Sequence, residues 1–326
     1  MLRRLILFCC FCAGMAQAQI WPETWYGSTR VKVAPVEPED PMLWAEYGGE
    51  AAERALYDGP VGRFAATAWR LQDATGALAW YQANRPAKCA PVRDSITRCV
   101  TPGGLMMVHQ NYVFFFDGWR PLEKELQELY RVAPAMRSGG GLPYLPGYLP
   151  EKGLVRNSER YLLGVHSLSR FLPWVPASIA GFEHGAEVQA GKLELGSTVT
   201  DYAIFYYHTP QLARQYEREF RKQPGWLVKR SYVLVAVFPA GVPETLARPV
   251  LDALEWKAEV VRNEATTPPP PPNVAGLLIG IFKLTGVLLL ICFGGGCVFA
   301  FFAAMLRRRR IRLYGNDDPM TVVRID

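Results

Sequence analysis

The end of the chain constrains it most. Five consecutive prolines, Pro268 to Pro272, precede an apolar run from Val274 to Leu306, and Arg307, Arg308, Arg309, Arg310 and Arg312 follow it. The uncharged portion of the run, Leu284 to Leu306, has 23 residues. At about 1.5 Å per residue, a helix of that length crosses a hydrocarbon core roughly 30 Å thick. Basic residues beside such a span stay on the cytoplasmic face, so the arginine cluster predicts a cytoplasmic tail and an external N-terminal part. Gly276 and Gly280 have the spacing of a helix-packing motif, but they sit at the outer end of the run, before Lys283, where the signal is poor.

The N-terminus predicts the same topology. Arg3 and Arg4 precede an apolar stretch from Leu5 to Met15, and Ala16-Gln17-Ala18 carries the small residues of a signal-peptidase site, with the cut expected after Ala18. Cys9, Cys10 and Cys12 lie inside that stretch without the small residues that precede an acylated cysteine.

The formal charge of +6 resides at the chain's ends. Between Gln19 and Asn273, 27 Lys+Arg balance 27 Asp+Glu. A neutral external part lacks the basic footprint of a nucleic-acid binder, so no nucleic-acid partner is expected. The bilayer is the partner the charges do imply, since juxtamembrane arginines are each drawn to anionic lipid by about 1 kcal/mol. Cysteines sort in the same way. Three of the seven fall in the signal and Cys292 and Cys297 in the membrane run, leaving Cys89 and Cys99 outside. Ten residues apart in an oxidising compartment, they are expected to form a structural disulfide.

The external 255 residues suit two domains, and the sequence reads as two diverged copies of one unit. Glu46-Tyr47-Gly48-Gly49-Glu50 parallels Glu183-His184-Gly185-Ala186-Glu187. Thr75-Gly76-Ala77-Leu78-Ala79 parallels Thr209-Pro210-Gln211-Leu212-Ala213, and Val108 to Val113 parallels Val228 to Val233. In the second copy, alternation and β-branched content predict strands over Ala186–Leu195 and Val199–Tyr207. Thr209-Pro210 caps a helix with Leu212, Tyr216 and Phe220 on one face, ended by Pro224-Gly225. Trp226–Phe238 divides at Lys229-Arg230-Ser231 into two strands. A helix over Pro243–Trp256 follows, with Leu246, Val250, Leu251 and Leu254 inward and Pro249 inside it, then a strand over Lys257–Arg262.

The first copy predicts strands over Phe64–Leu71, Leu105–Gln110 and Tyr112–Phe116, helices over Thr75–Asn84 and Pro121–Val132, and an inserted loop holding both cysteines. The expected fold class is α+β: tandem duplicated ferredoxin-like (βαββαβ) domains with an extra strand, both helices on one face of each sheet, followed by a single transmembrane helix. Its expected organisation is a signal peptide 1–18, repeat one 19–133, a Gly/Pro linker 134–150, repeat two 151–263, a Pro-rich stalk 264–273, a membrane helix 274–306 and a tail 307–326. Tyr144, Leu145 and Tyr148 in the linker are expected to pack on a neighbouring surface.

Motifs of established chemistry are missing. No nucleophile elbow, phosphate loop or dinucleotide fingerprint occurs, and Gly139-Gly140-Gly141 leads into prolines rather than a helix. His109, His166, His184 and His208 have no second ligand at metal spacing, so no catalytic residue, cofactor or metal is assigned. Phe114-Phe115-Phe116 and Phe205-Tyr206-Tyr207 put aromatics on both faces of their strands, which requires both faces to be covered. Pairing of two sheets could enclose an apolar pocket, for which His184, Tyr206 and His208 are the candidates.

The segment Leu149 to Gly164 (LPEKGLVRNSERYLLG), with Thr209-Pro210-Gln211, resembles a bacterial envelope family catalogued as a domain of unknown function, over roughly 40–262. The resemblance implies a bacterial inner membrane with the bulk of the chain in the periplasm, and implies no activity. The expected role is a non-enzymatic, membrane-anchored binding protein whose partner is an envelope protein or component. The alternative is a small-molecule sensor or enzyme using a pocket between the sheets.

Overall fold

The computed structural model describes residues 20–92, 95–137, 141–257 and 274–314. The expected signal peptide, the proline run, residues 258–262 of the expected last strand and the tail beyond Tyr314 lie outside the described residues. Contacts divide the chain into Met1–Lys257 and Ala258–Asp326. The first unit is a mixed α+β body of two antiparallel sheets. The second contains one apolar helix.

The first sheet begins with β1 (Thr24–Trp25), β2 (Ser28–Pro35), β3 (Gly49–Asp58) and β4 (Phe64–Leu71). The short β5 (Ala90–Pro91) and β6 (Arg98–Val100) precede a hairpin of β7 (Gly104–His109) and β8 (Tyr112–Asp117), and the spatial order is β1-β2-β3-β4-β8-β7-β6-β5. The second sheet is built from β9 (Arg160–Leu162), β10 (Glu187–Leu195), β11 (Thr198–Tyr206), β12 (Leu227–Ser231) and β13 (Leu234–Phe238), in the order β12-β13-β11-β10-β9.

Helices α1 (Pro41–Glu46) and α4 (Val165–Phe171) are short, while α2 (Ala74–Asn84), α3 (Glu123–Val132), α5 (Pro210–Arg221) and α6 (Glu244–Asp252) follow strands in the order the periodicity predicts. Asp73 caps α2, its Oδ1 accepting from the Gly76 amide at 2.7 Å, and Thr209 caps α5 by accepting from Leu212. The α2 side chains Ala77, Leu78, Trp80 and Tyr81 are all buried. A helix apolar around its circumference must be covered on every side. Here α2 packs on β4, β7 and β8 of one sheet and on β9 of the other, so it lies between them. Gln82 of α2 and Gln189 of β10 exchange amide hydrogen bonds of 3.4 and 3.2 Å, which satisfies two polar groups in an otherwise apolar seam.

This layering corrects the ferredoxin-like expectation of both helices on one face. Alternation along β7 sends Met106 and Val108 to the α2 side, and Leu105 and Met107 to the side where α3 buries Leu126 and Leu129. In the second sheet, α5 buries Ala213, Tyr216 and Phe220 against Val188, Phe205 and Val237. Helix α6 instead contributes Ala247 and Leu251 to the core shared with α2. Sheet-to-sheet pairing around an open space is likewise replaced by a helix-filled seam.

Both aromatic triplets are covered on two sides, as expected. Phe114 and Phe116 meet Trp21 and Trp25, while Phe115 packs in the α2 core. The α6 face differs from expectation: Leu246 is 39% exposed and Ala247 takes its place inward. Cys89 and Cys99 form a disulfide with Cα atoms 5.5 Å apart, both side chains buried. Closing a loop of that size contributes about 3 kcal/mol by restricting the unfolded chain. The insertion around them does not project. It adds β5 and β6 to the sheet edge through Cys99↔Met106 and Val100↔Leu105 pairs.

In the second unit, α7 (Val274–Tyr314) contains one stretch, Ile281–Arg309, long and apolar enough to cross a membrane. Its arginines Arg307, Arg308 and Arg309 follow the apolar part directly, and Arg310 and Arg312 lie on the same helix.

Candidate functional site

Strand register builds the floor of a cavity on the α2-facing side of the second sheet. Glu187 of β10 stands opposite Tyr206 of β11, and Tyr206 opposite Leu234 of β13, so the three form one row across adjacent strands. Tyr161 of β9 pairs with Gln189, two residues beyond Glu187 on the same face. Its buried hydroxyl donates to Glu187 Oε2, and the Tyr47 hydroxyl donates at 2.9 Å to the Tyr161 carbonyl. Burial first, and then the Glu187 charge, holds the Tyr161 hydroxyl far above its usual range, so it remains a donor.

The walls come from sequence-distant segments. Thr75 is supplied by the first turn of α2, Leu142 to Tyr148 by the linker, and Trp256 by the chain after α6. The Trp256 amide donates at 2.8 Å to Ser231 Oγ at the end of β12, and Tyr148 stacks on the indole with centroids 5.8 Å apart. Tyr206 lies 6.3 Å from the same indole. The cavity, open on one side, has a volume of about 320 Å³, within the range of small-molecule sites. A more open hollow of about 420 Å³ lies beside Val31, Leu56, Arg63 and Asp117.

Of the three pocket candidates from sequence, only Tyr206 lines the cavity. His208 is exposed, edge-on to Tyr206 at 5.5 Å, and is not part of the lining. His184 lies on the α5 side, where its Nδ1 is 2.9 Å from the Tyr216 hydroxyl, which donates to Glu183 Oε1 at 2.7 Å. Burial, together with that carboxylate, pushes Tyr216 up to about 12. The linker expectation holds for Leu145, which is buried, and Tyr148, which is half-buried. Tyr144 is 70% exposed at the rim.

Glu187, Tyr161, Trp256 and Thr75 were not legible as a site. The available signal was polar Glu187 and Gln189 sharing strand parity with Leu193, that is, polar residues on the face that a core should cover. Among the described residues, no group of three His, Cys, Asp or Glu side chains is arranged to hold a metal. His166 Nε2 instead lies 2.9 Å from Asp40 Oδ2, which Arg170 also contacts, and Glu46 accepts from the His166 and Ser167 amides at the start of α4. Helix capping accounts for that cluster.

Fold and site together define a mixed α+β chain of two antiparallel sheets with one C-terminal apolar helix and an aromatic cavity. In comparisons with protein-family models, curated proteins and solved structures, nothing matches the chain. The envelope-family resemblance of residues 149–164 therefore gains no support there.

Proposed function

We propose that the chain is a non-enzymatic binding protein anchored in a bacterial inner membrane, its two-sheet unit periplasmic and its C-terminus cytoplasmic, which takes a small molecule into the Tyr206–Trp256 cavity. The carrying observation is the cavity itself: about 320 Å³, walled by tyrosines and tryptophan, with one carboxylate on its floor. The reading as binding is supported by the state of the polar lining: the carboxylate of Glu187 accepts from the Tyr161 hydroxyl, and among the described residues no cysteine, serine, lysine or histidine lines the cavity beside it. The topology rests on the arginines after the apolar run and on the Ala16-Gln17-Ala18 site. Ile20 and Trp21, the first described residues after the expected cut, are packed in the core of the first sheet.

The two sheets also support an ancestral duplication of a ββαββα unit. The orders β3-β4-β8-β7 and β10-β11-β13-β12 have the same connectivity, and Gly48 and Gly185 each enter the first strand in a left-handed conformation. The correspondence runs Asp73 to Thr209, Ala77 to Ala213 and Gln110 to Tyr232. This corrects the Tyr112–Tyr232 and Leu78–Leu212 pairs by two residues: Tyr232 is the left-handed turn residue, like Gln110, whereas Tyr112 is buried in β8. In β10 the unit has a strand where the ferredoxin-like plan puts its last one.

The test is ligand-observed NMR of a fragment set on the full chain in nanodiscs. Aromatic and apolar fragments should bind, and Leu142→Trp, which fills the cavity from its wall, should abolish their binding. Fragment binding indifferent to Leu142→Trp would overturn the assignment of the cavity.

A further inference from the structure

We infer that the cavity selects an organic cation, a primary or quaternary ammonium group on a small apolar body, by seating the ammonium between Glu187 and the aromatic rings. This rests on the proposed binding role and specifies its ligand class. Among the described residues, Glu187 has the Tyr161 hydroxyl as its hydrogen-bond donor and no ion-pair partner. Among the described residues no lysine or arginine lines the cavity, and the formal charge they bring to it is the Glu187 carboxylate. A half-buried carboxylate without a cation keeps an unfilled electrostatic demand. Tyr161 meets part of it from below, while the free side of the row opens into the cavity, where Tyr206 stands beside Glu187.

Around that carboxylate, Tyr206, Trp256 and Tyr148 supply ring surfaces held in place by mutual stacking. Ring faces carry negative quadrupole density and attract ammonium groups, tryptophan most strongly. An anionic ligand would meet Glu187 with nothing to neutralise it. A neutral apolar ligand would gain the walls but leave the carboxylate desolvated. A monocation with an apolar body matches both surfaces at once. A soluble amine and a lipid ammonium headgroup share this chemistry.

The experiment titrates the full chain in phosphatidylglycerol nanodiscs with choline, with its neutral isostere 3,3-dimethylbutan-1-ol, and with 3,3-dimethylbutanoate. Choline should bind at least about tenfold more tightly than the alcohol, the butanoate more weakly still. Glu187→Gln should cut choline's advantage over the alcohol, because the carboxylate that pairs with the ammonium and penalises a neutral body is gone; an undiminished advantage would overturn the role given to Glu187. The wild-type comparison stands even if that variant fails to fold. Equal binding of choline and the alcohol would overturn the cation inference while leaving the cavity as a binding site. Failure of all three probes, together with the whole fragment set, would overturn both. Repeating the choline titration in phosphatidylcholine nanodiscs separates the sources: a lost response assigns the ammonium to a lipid headgroup, a retained one to a soluble cation.

Discussion

His109 shows how one side chain ties the fold to pH. It lies on β7 with its ring stacked on Tyr130 at 3.5 Å, facing the Arg98–Glu123 ion pair. Burial pulls its pKa below the ordinary 6.5, with Arg98 acting in the same direction and Glu123 opposing. The folded chain therefore binds a proton less readily than the unfolded chain. Above about pH 6.5 neither state is protonated at this site and no stability is lost. As the pH falls below that value the unfolded state takes up the proton first, so stability declines towards the lowered folded pKa. Thermal melts at pH 7.5 and 5.5 should show a larger loss for the wild type than for His109→Phe, which keeps the stacked ring and cannot titrate. Equal losses in the two proteins would remove His109 as the cause.

At the scale of elements, helix α5 separates what periodicity can say from what register decides. Leu212, Tyr216 and Phe220 form a correct i, i+4, i+8 stripe, yet the buried residues are Ala213, Tyr216 and Phe220, with Leu212 at the margin. A stripe defines a direction to within roughly one residue. Which side of it touches the sheet depends on the helix's roll, set by partners the stripe does not contain. Phe220→Ala should cost about 3–5 kcal/mol in denaturant melts, and Leu212→Ala markedly less, because a half-buried leucine leaves little cavity. A larger loss for Leu212→Ala would mean that α5 is rolled towards it. The same limit explains the cavity. Local pattern made the central strands, the Thr209 cap and the aromatic coverage legible, since each depends on neighbours in sequence, whereas the Asp73 cap stands two residues before the helix start expected at Thr75. The Glu187–Tyr206–Leu234 row joins three strands, and its walls come from Thr75, Tyr148 and Trp256, so only the strand pairing brings the site together. Strands β1, β5, β6 and β9 went unread because they are two or three residues long, and β3 because Glu50 to Leu56 is rich in helix-forming alanine and glutamate; β2 went unread although Arg30 to Val33 alternates. The two-helices-on-one-face expectation failed because connection order does not determine which face a crossing helix covers.

For the whole molecule, the distribution of charge makes the sharpest claim. Residues 19–273 are neutral overall, and the proposed orientation rests on the five arginines after the apolar run together with the Ala16-Gln17-Ala18 site. Moving a basic cluster of that size across a bilayer is opposed both by the insertion bias and by its attraction to anionic cytoplasmic lipid. An alkaline phosphatase reporter fused after Pro268 should therefore be active, and one fused after Asp326 inactive, in intact bacteria. A fluorescent protein that matures only in the cytoplasm should give the reverse pattern. Replacing Arg307, Arg308, Arg309, Arg310 and Arg312 with glutamine should weaken this asymmetry and leave the disulfide-bearing unit to fold as before, because none of the five belongs to it. Activity of the phosphatase at Asp326 in the unaltered protein, or its silence at Pro268, would overturn the orientation and with it the periplasmic setting of the cavity.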